Sequence, residues 1–297
     1  MSIVAKNLNK VYKNRVHALE NVNLNIESGM FGLLGQNGAG KSTLMKILTT
    51  LIKPTSGSIE ICGRKLNKKN EMYIKSITGY MPQEFGFYSS FKVDECLEYM
   101  SILKGISKRE QKQEIDAVVE KVNLQEHRNK KYKELSGGMK RHVGLAQALL
   151  GEPKILIVDE PTAGVDPKER IGIRNILSNY SKDHIVLLST HIIEDIAMTC
   201  NKLAVLHLGH ILYNGEVKNL IKQAKGKVYS CVLENVTKSA EVSERYVVVS
   251  SQYVGSKMEL KVISEEKPEG MVCEQVEPSL EDAYMYITSL ACKAARG

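Results

Sequence analysis

Apolar and polar residues alternate with period two along Ile3–Val11 and Val22–Ile26, and Met30–Leu34 forms a short apolar run. Both patterns predict β-strands. Leu44, Ile47, Leu48 and Leu51 then recur at helical spacing, and Lys53-Pro54-Thr55-Ser56-Gly57 predicts the stop of that helix. Ser58–Cys62 and Ile77–Met81 read as further strands. From about residue 91 to 151 the period becomes helical, with Ile115, Val118, Val119 and Val122 forming one apolar stripe on a charged segment. Strand-like runs return at Lys154–Val158, His184–Leu188 and Lys202–Leu206, alternating with helical segments. That alternation predicts an α/β fold, a largely parallel sheet with helices on its faces, carrying a helical subdomain over about residues 85–150.

The pattern changes after Gly226. Val228–Leu233, Tyr246–Ser250 and Lys257–Val262 predict strands. Pro278-Ser279-Leu280-Glu281 opens a last helix with Leu280, Ala283, Tyr284, Ile287 and Leu290 on its apolar face. The expected organisation is a main domain over residues 1–225 and a small α+β appendage over 226–297. Charge divides at the same place: the first 225 residues carry a formal +10 and the remainder −3, within a total of +7. No internal repeat and no low-complexity segment interrupts either part.

Composition narrows the classes. Over 297 residues, 43% are hydrophobic and 25% charged, which excludes a disordered, collagen-like or disulfide-scaffold chain. No apolar run approaches the roughly 20 residues that span a bilayer, and the first residues lack the plan of a signal peptide. An intracellular chain that does not cross a membrane by itself is expected. Six cysteines without a C-x-x-C pair are expected to be free reduced thiols. The positive charge first suggests nucleic acid. Concentrated in the main domain, it fits polyphosphate handling beside an anionic membrane better, and no nucleic-acid partner is expected.

The chemistry begins at Gly35-Gln36-Asn37-Gly38-Ala39-Gly40-Lys41-Ser42-Thr43. This is G-x-x-x-x-G-K-[ST] between a predicted strand and a predicted helix, the context that gives the motif its meaning. Glycines let successive N–H groups converge on one anion, and the helix N-terminus adds partial positive charge. Lys41 is expected on the β- and γ-phosphates of a nucleotide, and Ser42 on Mg²⁺. The apolar run Ile155–Val158 ends in Asp159-Glu160. Carboxylates at the C-terminal end of a buried strand sit where α/β sheets place ligands. Asp159 is expected to hold Mg²⁺ and Glu160 to act as general base on the attacking water.

Leu135-Ser136-Gly137-Gly138-Met139 precedes that strand. With it, residues 2–225 resemble the ATP-binding cassette (ABC) family, whose signature Leu-Ser-Gly-Gly-Gln occupies this place. The resemblance implies a P-loop NTPase cassette binding ATP and Mg²⁺. It further implies adenine stacking on Tyr12, and a Gln83 that couples Mg²⁺ to the helical subdomain. Ala163-Gly164-Val165-Asp166 would be a loop crossing a dimer, and His191 a switch residue at the γ-phosphate. Ser136, Gly137 and Gly138 would cap the ATP bound to a second cassette, identical or not. The signature departs from the family at Met139, whose thioether cannot donate a hydrogen bond.

As a stand-alone cassette, the chain is expected to be the ATPase subunit of a membrane exporter. It would sit peripherally on the cytoplasmic face of the plasma membrane and drive a separate integral membrane permease. Residues 85–103, around Phe85-Gly86-Phe87-Tyr88, are the candidate permease contact. Glu277-Pro278-Ser279-Leu280-Glu281-Asp282-Ala283-Tyr284 resembles the ending of cassettes serving drug, antibiotic or polysaccharide exporters. The alternative is a soluble ABC ATPase of iron–sulfur assembly, nucleic-acid or ribosome processes. A non-hydrolysing sensor fits less well with an intact Asp159-Glu160. The basic run His127–Lys133 reads as a solvated loop.

Overall fold

The computed structural model describes residues 1–13, 15–234, 239–255 and 257–294. In chain order the elements are β1 (Ser2–Val11), β2 (His17–Glu27), β3 (Gly29–Leu34), α1 (Lys41–Leu48), β4 (Ser56–Ile61), β5 (Arg64–Lys65), α2 (Glu71–Ser76) and β6 (Thr78–Met81). The helical segment follows with α3 (Val93–Leu103), α4 (Lys108–Lys121) and α5 (Gly137–Leu149). Next come β7 (Ile155–Asp159), α6 (Pro167–Tyr180), β8 (Ile185–Thr190), α7 (Ile193–Thr199), β9 (Lys202–His207), β10 (His210–Glu216) and α8 (Val217–Gln223). The chain ends with β11 (Val228–Leu233), α9 (Ser239–Arg245), β12 (Val247–Val254), β13 (Lys257–Ile263), β14 (Val272–Gln275) and α10 (Leu280–Ala294).

The central sheet has the order β10-β9-β3-β8-β7-β6. Five of its strands run parallel, and β10 returns antiparallel on β9. Its inner strands β7 and β8 are buried from end to end, and β7 is apolar up to Asp159, because both faces are covered. Leu33, Ile157 and Leu187 point to α1 and to the antiparallel sheet β2-β1-β4-β5, where Ile3, Leu24, Ile26 and Ile59 meet them. Leu34, Val158 and Leu188 point to the opposite, helical layer.

Register is what assembles a site. Leu34 pairs with Thr190, Asp159 with Ser189, and Met81 with Val158. The loops leaving β3, β6, β7 and β8 therefore emerge at one edge, where parallel sheets bind ligands.

The appendage forms its own antiparallel sheet, β12-β13-β11-β14, packed by Leu233, Val242, Met258, Leu260 and Val262. Its last helix does not confine itself to that sheet. Leu280, Ala283, Tyr284 and Ile287 join the helical layer of the main domain. Burying such side chains contributes roughly 2 kcal/mol each. Leu290, expected on the same face, is exposed.

Other expectations need correction. Cys231 and Cys273 face each other across β11 and β14 and form a disulfide, whereas Cys62, Cys96, Cys200 and Cys292 are free. The pairing joins residues 42 apart, so spacing gave no warning of it. The short elements β5, β10, β14 and α2 escaped the periodicity because each buries little: α2, for example, buries only Ile74. In the basic run, Lys130, Lys131 and Lys133 are solvated, but Arg128 binds Asp94 at 2.9 Å and Asp116 at 2.5 Å, and Tyr132 is buried.

Candidate active site

The loop after β3 curls because Gly40 takes φ +107°, and a Cβ there would lie 2.4 Å from the Ala18 carbonyl oxygen. No residue with a side chain fits. The α1 N-terminus carries no side-chain cap, so its N–H groups stay available to an anion. Lys41 is only 6% exposed, and its Nζ donates to the carbonyls of Gly35 at 2.6 Å and Gln36 at 3.2 Å. The loop's own carbonyls thus hold the cation beside the open amides. Burial pulls the Lys41 ammonium below its usual pKa, opposed by the nearby carboxylates of Glu160 and Asp159.

A cavity of about 490 Å³ opens above this loop, walled by Gln36–Gly38, Gly40–Thr43, Gln83, Asp159 and Glu160, with Tyr12 at its mouth. Tyr12 is 38% exposed and approaches Thr43 Oγ1 at 3.3 Å through its hydroxyl. Lys10 Nζ stands 5.3 Å from the centroid of this half-open ring. Gly35 and Ala39 face inward instead: Gly35 lies against Leu206, and the Ala39 carbonyl accepts from Gly209 N.

The two carboxylates after β7 have different surroundings. Asp159 accepts the Ser42 hydroxyl at 2.8 Å on Oδ2, while its buried Oδ1 has no hydrogen-bond partner. Glu160 stands at φ +50°, a left-handed backbone costing about 1–3 kcal/mol in a residue with a side chain. Its N–H donates to the Ser189 carbonyl at 2.9 Å, which anchors the turn. The carboxylate is 2% exposed; Oε2 lies 2.8 Å from His191 Nδ1 and 3.5 Å from Thr190 Oγ1. Oε1 lies 3.8 Å from Lys41 Nζ and makes no hydrogen bond. His191 thus enters the site through Glu160.

Ser136, Gly137, Gly138 and Asp166 do not line this cavity. Ser136 caps α5, its Oγ accepting from Met139 N at 3.1 Å, and Asp166 caps α6 by accepting from Glu169 N at 3.0 Å. Gly137 lines a different cavity, of about 330 Å³, with Ala163 and Gly164. The Met139 side chain packs against the apolar core, so an apolar contact stands where a glutamine would have been polar.

Three contributors carried no signal in the sequence. Arg141 donates to the carbonyls of Gln83 at 2.7 Å and Ala163 at 3.5 Å, joining the two cavities. Thr190 touches Glu160 and caps the turn to His191 by accepting from Ile192 N at 2.9 Å. Tyr284 of α10 is buried, which pushes its phenol above the usual value, while a hydrogen bond with the Gln36 backbone pulls it back.

A family profile described as ABC transporter matches residues 19–163. The uncharacterized ABC transporter ATP-binding protein YxlF of Bacillus subtilis (strain 168) is 37% identical over 227 residues, spanning 76% of this chain and 74% of that protein. The chain belongs to the ABC transporter ATP-binding family. It is an ABC transporter ATP-binding subunit and an ATPase with the α/β cassette fold. Methionine import ATP-binding protein MetN of the same strain is 31% identical over 282 residues, covering 91% of this chain and 82% of MetN. A dimeric post-hydrolysis state of the ATP-binding cassette MJ0796 bound to ADP and Pi superposes with TM-score 0.65 at 28% identity. That likeness covers 72% of this chain and 98% of that one. Cassettes of this family act with membrane permease subunits. Among the described residues no helix is long and apolar enough to cross a membrane.

Proposed function

We propose that this cassette hydrolyses ATP with Glu160 as general base, in a dimer closed around two ATP molecules, to drive export through a separate permease. The observation that carries the reading is the Glu160 carboxylate beside the cavity: buried, fixed through Oε2 by His191 and Thr190, with Oε1 not hydrogen-bonded and 3.8 Å from Lys41 Nζ. A carboxylate held through one oxygen can take a proton from water with the other. Gly38–Thr43 would cradle the phosphates, Lys41 would compensate their charge, and Tyr12 would carry the adenine. His191 holds the base in orientation and stands at the edge where the γ-phosphate would end.

The residues present fit Mg²⁺. Among the described residues no cluster of three His, Cys, Asp or Glu side chains could cage a metal by itself. Magnesium instead favours a hydroxyl or carboxylate plus substrate phosphates, and the Ser42 hydroxyl beside Asp159, whose Oδ1 is unpartnered, supplies that. Gln83 would join from the facing wall. When bound, the ion offsets negative charge on the β- and γ-phosphates.

Ser136, Gly137 and Gly138 open α5 on a surface away from their own phosphate loop, which suits an ATP held by a second cassette. For the permease, a groove of about 510 Å³ lined by Phe85, Phe87, Tyr88, Tyr99 and Met100 supports residues 85–103 as the contact. Phe85 and Phe87 also pack inward, while Tyr88 stays exposed. Arg141 donates to the Gln83 carbonyl just ahead of this segment, stands 5.8 Å from the Phe85 ring and reaches the Ala163 carbonyl, so that closure can move the groove. Export and the cytoplasmic membrane face rest on the sequence resemblance, and a division near residue 225 with an accessory C-terminal part rests on the change of charge and pattern there. Glu160→Gln should lower turnover by about 10²–10⁴-fold and let ATP trap a dimer. ATPase assays and light scattering test this; turnover near that of the wild type would remove Glu160 as the base.

A further inference from the structure

Asp195 is completely buried, in the first turn of α7. A carboxylate stays in such a place only with partners. The hydrogen-bond partner comes from 33 residues away: Thr162, 1% exposed, donates its hydroxyl to Asp195 Oδ2. Arg174 of α6 supplies charge, with one guanidinium nitrogen 3.5 Å from Asp195 Oδ1 and 3.7 Å from Glu194 Oε1. The backbone of Asp195 is held as well. Its N–H donates to the Ile192 carbonyl at 3.1 Å, and its carbonyl accepts the Thr199 hydroxyl at 2.6 Å.

Thr162 follows Glu160 by two positions, and Asp195 follows His191 by four. The two segments are therefore tied twice. One tie joins Glu160 Oε2 to His191 Nδ1 at 2.8 Å; the other joins Thr162 to Asp195. Only Pro161 stands between Glu160 and Thr162, and its ring fixes φ there. On the other segment, the turn into α7 is anchored where Thr190 Oγ1 accepts from Ile192 N at 2.9 Å. The second tie thus holds the spacing on which the first depends. It also sets the start of the Ala163–Asp166 loop. There the Ala163 N–H donates to the Glu160 carbonyl at 3.3 Å, and the Val165 N–H to the Thr162 carbonyl at 3.5 Å.

We propose that Thr162 and Asp195 are positioning residues for ATP hydrolysis: their buried hydrogen bond holds the Glu160 turn and the His191 helix in register, with Arg174 as the countercharge. The proposal rests on the reading of Glu160 as general base. Without the Thr162 hydroxyl, a buried carboxylate oxygen loses its partner and the two segments are free to shift. Glu160 would then keep its chemistry and lose its alignment. Neither Thr162 nor Asp195 lines the phosphate-loop cavity, so their contribution falls on turnover and not on ATP binding by the single cassette.

The test uses the full chain with Thr162→Val, which exchanges the hydroxyl for a methyl, and Thr162→Ser, which keeps the hydroxyl. Thr162→Val should lower kcat by about tenfold, the scale of a small misplacement of reacting groups, with ATP affinity within about twofold of the wild type. Thr162→Ser still donates and should recover kcat to within about threefold. If Thr162→Val does not fold, Thr162→Ala carries the comparison. A wild-type kcat without the hydroxyl overturns the proposal. So does a serine variant as slow as the valine one, which would assign the effect to packing. The link to His191 has its own readout. In a His191→Ala background, where the first tie is already gone, Thr162→Val should change kcat by less than about twofold; a larger further loss overturns the positioning role. The two readings fail separately. Near-wild-type turnover in Glu160→Gln removes the base, whereas wild-type kcat in Thr162→Val beside an inactive Glu160→Gln removes only the second tie.

Discussion

The chain presents two anion-binding helix starts, and they are built in opposite ways. At α1 the amides are uncapped, and charged groups close in around them: Lys41 on its carbonyls, Glu160 at 3.8 Å, and Asp159 holding Ser42. At α5 the start is capped by its own Ser136, the cavity beside Gly137 is edged by Lys140 and Arg141, and the Glu169 stem lies against Gly138. Desolvated charge strengthens every polar contact and fixes a reacting geometry, which suits the side where bonds change. A capped start with glycine at 137 and 138 keeps its shape without a ligand, which suits a surface that must meet and leave one repeatedly.

That contrast can be broken from either side. The largest effect is expected at the charged start. Lys41→Ala removes the buried cation between the phosphate loop and Glu160, and calorimetry should find ATP binding abolished; unchanged affinity would mean that the amides alone hold the nucleotide. At the capped start, Gly138→Leu drives a side chain into Glu169. ATPase activity should fall by about 10²-fold while single-cassette ATP affinity stays within about twofold. Loss of binding there would erase the proposed division of labour. The smallest effect probes the link from the appendage. Tyr284→Phe removes a buried hydroxyl beside the Gln36 backbone, so ATP should bind no more than about fivefold more weakly. Identical titrations for the two proteins would show that α10 does not reach the site energetically.

The predicted strands of the main domain and the helical stripe of α4 were readable because their side chains alternate between two covered faces or line one. Lys41, Ser42, Asp159 and Glu160 were readable because they lie in short contiguous motifs on strand ends. Other partners were not. Thr190 reaches Glu160 only because Asp159 pairs with Ser189 in neighbouring strands. Cys231 meets Cys273 through the register of β11 and β14. Arg141 and His142 stand next to the signature as an ordinary basic stretch, and nothing local says that one turns to Gln83 and the other to Glu169.

By itself, then, the sequence determined the strand and helix alternation, the phosphate loop, the carboxylate pair and the family, since each is written in neighbouring residues under local steric and periodic rules. The tertiary structure decided what residues far apart in the chain do to one another. It set Glu160 in a left-handed turn with His191 on one oxygen. It turned the apolar face of α10 onto the cassette, although the charge and pattern of residues 226–297 marked them as a separate part. The reason is physical: packing and register set distances between segments, and the residues that meet there carry no mark of their partner in their own neighbourhood.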